Sequence, residues 1–374
     1  MMEMHYKIHE EVRFVKGFMR AIAYDLNRCD YDFLPNSLVD ILHKYNGNSL
    51  LYLEKALIAI ANKTIAKEYI DFLIKKEYIF IIEREYINQF SCLNLEFNLP
   101  SHIFTAIIDI EDTSMVANYK IIEQLNDLGC KHLLFRFSNQ FDIERINVFL
   151  SKYKTLGFHS IGIWMYSLPL LNTKNIKAFC MQNVKINKIS IFNHKINKQN
   201  NFKTVEIQFY KANWTDATIC LANRNNFHIN ITLFLESLTY NPYFNKKIYI
   251  DKKGFISNAP YCMIFGNIKT TNIASILNED FKFLWAASKD KTFICKDCEY
   301  RYMCVDNRIP KKSNNGMFFF ENGCNYNPYI ARWKDQEGYV PVEECGTYDR
   351  EAGFVPGKTK IAELNKRIWC EGDN

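Results

Sequence analysis

The spacing of apolar residues changes twice along the chain. In VRFVKGFMRAIAYD (residues 12–25), Val15, Phe18, Ile22 and Tyr24 predict two short strands about a Lys16-Gly17 turn. Pro35-Asn36-Ser37 then signals a helix start, and Leu38, Ile41, Leu42 and Tyr45 recur at helical spacing until Asn46-Gly47-Asn48 ends the run. Two more helical stretches, 51–60 and 65–75, lead into the apolar run Tyr78-Ile79-Phe80-Ile81-Ile82, short enough for a strand. The order of hairpin, helices and strand outlines a winged-helix-like domain over residues 1–95.

After Pro100 the pattern alternates. FTAIIDI (104–110) predicts a buried strand, 121–128 a helix closed by Gly129, and KHLLFRF (131–137) the next strand. A helix over 141–156 and a strand over 161–165 repeat the unit. A helix at 176–183 follows, then strands at 188–192, 204–210 and 229–235. Repeated β-α units of this length predict an α/β region with a parallel sheet and helices outside, over 101–240. An eight-fold barrel needs more chain than this.

From about Pro242 the alternation fails. Residues 247–256 predict a hairpin about Asp251-Lys252-Lys253-Gly254, short elements follow, and a last helix is expected at 361–369. Residues 241–374 read as a small module organised by a metal more than by its core.

That reading rests on cysteines. Cys295-Lys296-Asp297-Cys298 is followed by Cys304 and, from a separate segment, Cys324. The spacings of the first three cysteines let a tight turn aim several sulfurs at one point, and the fourth cysteine closes the loop. All eight histidines precede Ile229, so a four-thiolate set is simpler than a mixed one. Spacing alone admits structural zinc or an iron–sulfur cluster. Of the remaining cysteines, Cys29, Cys92, Cys130, Cys180 and Cys220 stand singly and read as small buried hydrophobes, as does Cys262.

Composition narrows the function classes. The 29 Phe and 22 Tyr among 374 residues can fill a large interior in two or three domains. No apolar run approaches a membrane span, and residues 1–13 (MMEMHYKIHEEVR) are too charged for a secretory signal, so a cytoplasmic protein without membrane association is expected. The net charge of +6 is mild, and residues 1–95 carry 12 Lys and Arg against 13 Asp and Glu. No nucleic-acid partner is expected from such a balance. Neither G-x-G-x-x-G nor a P-loop nor a G-x-S-x-G elbow occurs. Asp109, Glu111 and Asp112 end the first strand of the alternating region, where a barrel places chemistry, but they read as a polar rim. Met317-Phe318-Phe319-Phe320 reads as core and Lys311-Lys312 as a solvated turn. No catalytic residue is identifiable.

The stretch from Gly254 to Pro260, Gly266-Asn267-Ile268, Phe283-Leu284-Trp285 and CKDCEYRYMC (295–304) resembles the SPASM domain appended to radical SAM peptide maturases. In that family a C-x2-C-x5-C-x3-C run gives three ligands to an auxiliary [4Fe-4S] cluster, and a cysteine about twenty residues later gives the fourth. Cys295, Cys298, Cys304 and Cys324 match those positions, so the resemblance favours iron–sulfur over zinc and implies one cluster. The last cysteine of the run, a ligand of the family's other auxiliary cluster, is here Arg308. Cys262 lies near where that lost cluster would draw a thiol, and Cys345 and Cys370 have no counterpart.

The middle region resembles the partial (β/α)6 barrel of radical SAM enzymes in element order. The loop that should carry C-x3-C-x2-C reads Glu111-Asp112-Thr113-Ser114-Met115, so no AdoMet binding or radical chemistry is expected. Across most of its length the chain resembles the SPASM partner of "grasp-with-spasm" peptide-modification systems. The matching blocks are Phe14-Val15-Lys16-Gly17, residues 298–310 and the run from Cys324 to Ile330. That resemblance implies a component of ribosomal peptide (RiPP) maturation, with a precursor or leader peptide and an ATP-grasp ligase as partners. The winged-helix outline is similar to the recognition element of such pathways, where the leader adds a strand to a sheet edge beside a helix. The alternatives are an independent metal-dependent redox enzyme and a zinc-stabilised peptide-binding scaffold.

Overall fold

A computed structural model of the chain describes residues 4–138, 141–168, 173–214, 222–349 and 353–370. Its residues divide into two compact units: one drawn from 1–97, 220–242 and 287–374, the other from 98–219 and 243–286.

The first unit begins with strand β1 (Met4–Ile8), followed by β2 (Val12–Lys16), β3 (Ala21–Asp25) and β4 (Asp30–Leu34). The foreseen hairpin is β2–β3, and β4 extends it to a three-stranded antiparallel sheet. Helices α1 (Asn36–Tyr45), α2 (Leu50–Ile60) and α3 (Lys63–Lys75) follow, close to the expected bounds. Ser49 and Asn62 cap α2 and α3 by accepting from the amides of Leu51 and Ile65. The apolar run after α3 forms β5 (Ile79–Glu83), which pairs antiparallel with β1. Leu38, Leu42, Leu53, Leu57 and Leu73 pack with Tyr6 and Ile79 into one core. Two strands of this N-terminal segment escaped the sequence pattern. β1 buries neighbours on both faces (Tyr6 and His5), and β4 (DYDFL) carries aspartates at alternate positions, as edge strands often do.

The second unit is the alternating α/β region. It contains β6 (Thr105–Ile110), α4 (Thr113–Asn118), α5 (Ile121–Asp127), β7 (His132–Phe137), α6 (Ile143–Ser151), β8 (Ser160–Tyr166), α7 (Thr173–Gln182), β9 (Ile186–Phe192), β10 (Lys198–Phe202), β11 (Val205–Phe209), β12 (Lys247–Ile250), β13 (Phe255–Ser257) and β14 (Ile264–Asn267). They build a nine-stranded sheet in the order β10-β11-β9-β8-β7-β6-β12-β13-β14. The six strands from β11 to β12 run parallel to one another, as the alternation predicts. Beyond Pro242 the chain thus returns to this sheet: β12 lies parallel to β6, and the expected hairpin extends it as β13. Gly254 makes that turn at φ +87°, where a Cβ would stand 2.7 Å from Ile268.

Residues 229–235, expected as a strand, instead begin helix α8 (Ile231–Thr239) in the first unit. Asn230 caps it, accepting from the Leu233 amide at 2.8 Å. Only Phe234 and Ser237 are buried on its inner side, so one face suffices where the apolar run ITLFL suggested two. From 287 onward the first unit resumes with 3₁₀ turns and two-residue strand pairs, 311–312 with 318–319 and 326–327 with 332–333, and ends in the helix Lys358–Cys370. Lys311 and Lys312 are exposed as foreseen but form a short strand rather than a turn, and Phe318 is buried. No helix among the described residues is long and apolar enough to cross a membrane.

Candidate metal centre

The segment leading to the cysteines is held by its own backbone. Thr292 donates from its hydroxyl to Ser288 O, and the Phe293 amide donates to Phe318 O at 2.9 Å. At Ile294 the chain turns with φ +68° and ψ −48°, and the Cys295 amide donates back to Phe293 O at 2.7 Å. This is a γ-turn of the strained hand, rare for a β-branched residue. It tips the chain into the 3₁₀ turn Cys295–Asp297, closed by the Cys298 amide on Cys295 O. A second turn places Cys304 by its amide on Tyr300 O at 3.1 Å.

Cys295, Cys298, Cys304 and Cys324 all line one cavity of about 30 Å³, walled by Phe227, Tyr300, Tyr326 and Trp333. The four cysteines expected from sequence all border this cavity. Their charges couple: Cys295 and Cys304 act on Cys298, Cys324 and Cys295 on Cys304, and Cys295 on Cys324. Burial pushes the thiols of Cys298, Cys304 and Cys324 above their ordinary value; neighbouring negative charge adds to this at Cys298, while Lys289 opposes it at Cys304 and Arg308 at Cys324. Backbone amides of Tyr300 and Tyr326 offset part of this by donating to Cys298 and Cys324. Among the described residues, no three His, Cys, Asp or Glu side chains stand arranged to hold a metal ion.

Sequence reading missed the charged frame. Lys289 is 1% exposed and donates to Asp306, itself fully buried, at 2.7 Å. Arg308 grips the same carboxylate at 2.6 Å, and both cations lie over the Phe320 ring, at 4.6 and 4.2 Å from its centroid. Burial alone would lower Lys289, yet Asp306 and the thiols of Cys295 and Cys304 hold it above its ordinary value. Arg308 likewise feels Cys295 and Cys324. Asp306 is held well below the carboxylate range because its two cations outweigh burial. The signal was present as three charged residues set close to the cysteines, one of them where the resemblance expects a fifth thiol.

The chemistry of the lining suits a thiolate-bound centre, although the side chains are not arranged around an ion. Four soft sulfurs line the cavity, Asp306 is turned to its cations, and two buried positive charges against one negative leave room for anionic thiolates. A second cavity of about 330 Å³ adjoins it, walled by Cys295, Cys324, Arg308, Glu343 and Tyr348.

The N-terminal hairpin lies on the cysteine loop. Phe18 donates its amide to Asp297 O at 2.7 Å, Arg20 Nε donates to Glu299 Oε1 at 2.8 Å, and the Tyr24 hydroxyl donates to Glu299 O at 2.8 Å. Tyr326 gives its hydroxyl to the same carboxylate at 2.5 Å. Val15, Ile22 and Tyr24 share a core with Phe234, Tyr300, Met303 and Trp333.

The other sequence candidates lie elsewhere. Cys345 is buried, and its sulfur accepts from Asn327 at 3.2 Å. Cys262 belongs to the second unit, its thiol pushed up to about 11 by burial. Cys130 and Cys180 are buried as foreseen, whereas Cys29 and Cys92 are exposed on the surface against expectation. Cys29 lies in the turn between β3 and β4 with φ +56°. Cys220 and the side chain of Cys370 lie outside the described residues. In the second unit Asp109 is clamped by Arg136 at 2.5 and 2.8 Å and by the Tyr249 hydroxyl at 2.7 Å. Asp112 caps α4 through the Ser114 amide, and Glu111 meets Lys252 at 3.3 Å.

No family model matches the chain, and no curated protein matches it. Among solved structures it is similar to Streptococcus suis SuiB bound to S-adenosylmethionine (12% identity, TM-score 0.30). It is also similar to a second structure of SuiB (11%, 0.28) and to SuiB bound to the precursor peptide SuiA (10%, 0.27). Each match covers 80% of this chain and 94% of that one. At TM-scores of 0.30 and below, these likenesses decide neither the fold nor a ligand.

Proposed function

We propose that this chain is a component of a ribosomal peptide-maturation system that binds a precursor peptide and carries one thiolate-bound metal centre, a [4Fe-4S] cluster. The observation that carries the reading is the meeting of Cys295, Cys298, Cys304 and Cys324 at one cavity flanked by Lys289 and Arg308. When bound, such a centre supplies structural cross-linking or one-electron transfer, since four protein thiolates leave no coordination position open. The chain's own residues do the rest: Asp306 orients the two cations, and the amides of Tyr300 and Tyr326 face two of the sulfurs.

The peptide would lie along β4, which pairs with a strand on one side only among the described residues. Phe33 on that strand is 42% exposed, and Lys76 and Tyr78, just past α3, hold its Asp32 at 2.7 and 2.5 Å. A strand edge beside a helix end is the geometry of peptide addition. An ATP-grasp ligase is the proposed enzymatic partner, and AdoMet chemistry is not part of the proposal because residues 111–115 supply no thiolate. One observation favours the independent redox enzyme: the 330 Å³ cavity reaches Cys295 and Cys324, so a small molecule could approach the centre.

Anaerobic purification with iron, sulfide and zinc analysis, wild type against Cys298→Ala, tests the centre. Iron and sulfide in wild type and their loss in the variant support the reading. Zinc alone leaves the scaffold alternative, and unchanged metal content in the variant refutes the ligand set. Turnover of a small redox substrate by the isolated chain would favour the redox enzyme.

A further inference from the structure

We infer that the metal-ligand loop and the edge strand β4 are one mechanical unit, so that metal occupancy at the thiols and binding of an extended peptide along β4 change each other's affinity. The peptide half rests on the proposed function. The link rests on contacts inside the first unit.

Three consecutive residues carry it. Cys298 lines the thiol cavity; Glu299 holds Arg20 by its carboxylate and Tyr24 by its carbonyl; the Tyr300 ring meets Tyr31 and Phe33 of β4 at 6.3 and 6.0 Å. The circuit closes through Arg20, whose guanidinium lies 3.5 Å above the Phe33 ring. From the exposed edge to a candidate ligand the path is therefore Phe33, Arg20, Glu299, Cys298. Each step is a contact or a covalent bond.

The joint has no slack. A Cβ on Gly17 would stand 2.7 Å from Glu299 N and 2.9 Å from Glu299 Oε2, so hairpin and loop already touch backbone to backbone. Arg301 Nη1 donates to Lys16 O at 2.8 Å on the other side of the same turn. A shift of the loop as the sulfurs close on a metal must therefore move the hairpin, and β3 carries that motion to β4 through its five-residue register. Glu299 is fully buried and one of its oxygens has no partner, so it cannot release Arg20 without stranding a charge. Coupling of this kind is reciprocal: what metal does to the edge, an edge ligand does to the metal.

The test is hydrogen exchange read by mass spectrometry on the full chain, loaded with zinc or with iron and sulfide, then stripped by chelation. Stripping is expected to speed exchange in residues 30–34 by at least about tenfold while residues 132–137 of the second unit stay unchanged. In Glu299→Gln, which keeps its shape and its tyrosine bond, the same difference at 30–34 should shrink below about threefold with metal content retained. Unchanged exchange at 30–34 in stripped wild type overturns the link. Equal loosening of 132–137 overturns it as well, and so does a chain that takes up neither metal. Selection of a random peptide library against the loaded chain tests the other half: no binder removes the peptide ligand and leaves the measured link standing.

Discussion

Replacing Arg20 by methionine should loosen the hairpin from the cysteine loop by an amount the structure bounds. Glu299 is fully buried, Arg20 is its cationic partner at 2.8 Å, and the arginine side chain is 24% exposed. Removing one member of a buried pair costs about 3–5 kcal/mol, chiefly because the other charge is left unpaired. Solvent at the rim brings this pair below that range, to roughly 2–3 kcal/mol. The amide of Phe18, which donates to Asp297 O, reports opening of that joint directly. With about 1.4 kcal/mol per factor of ten, its exchange should accelerate by roughly 30- to 150-fold. The double variant with Glu299→Gln should recover at least about 1 kcal/mol, since no charge is then stranded and Tyr326 can still donate to the amide oxygen. Acceleration below threefold, or a double variant whose losses simply add, would refute the assignment of the buried charge as the source of the cost.

Four further outcomes follow from particular side chains. Cys304→Ala should lose the bound metal, read by metal analysis after anaerobic desalting, whereas Cys345→Ala should keep it, because Cys345 serves Asn327 and a separate core. Asp109→Asn should cost about 3–5 kcal/mol locally by leaving Arg136 among Trp164, Trp214 and Tyr249 without its counter-charge; exchange in β6 and β7 measures this. His132 is held below its ordinary value by burial and then by His159, so the folded state binds fewer protons than the unfolded chain. Its contribution to the sheet is complete above about pH 6.5 and lost as pH falls through the lower folded value; exchange in β7 and β8 at two pH values shows the slope, and His132→Gln removes it. Alkylation at pH 8 should label exposed Cys29 and Cys92 within minutes and leave Cys130 and Cys180 slow, since burial pushes those thiols up to about 12 and about 11; mass mapping of labelled peptides decides it.

The parts of this molecule that were legible in sequence are those whose determinants are local. A start signal and helically spaced apolar residues announced α1, helical stretches announced α2 and α3, and apolar runs alternating with helices announced the parallel strands, because each signal lies within a few dozen residues. The cysteine quartet was legible for the same reason in three of its members. Residues 229–235 misled because Ile, Thr, Leu and Phe suit a strand as well as a helix. Asn230 and the one-sided burial of Phe234 decided the matter only in three dimensions. Strand β12 was recognised, but nothing near Lys247 reveals that its partner is Thr105. The Arg20–Glu299 pair spans 279 positions. No pattern short of a fold could join them.

Arg308 shows why the charge frame and the thiols belong to one account. Where the resemblance places another sulfur, this chain places a guanidinium that bonds Asp306 and Asn322 O and faces Cys295 and Cys324. With metal-free, protonated thiols, Lys289, Arg308 and Asp306 would leave one net positive charge in an interior where only paired charges are tolerated. Four thiolates around a doubly charged core carry two negative charges, so the same three residues become a partial counter-charge. On the proposed function, the frame would be costly in the empty protein and stabilising in the loaded one. Arg308→Met should accordingly weaken metal retention against a competing chelator while making the stripped chain no less stable. Equal metal retention by Arg308→Met and wild type would mean that the arginine is held there for Asp306 alone.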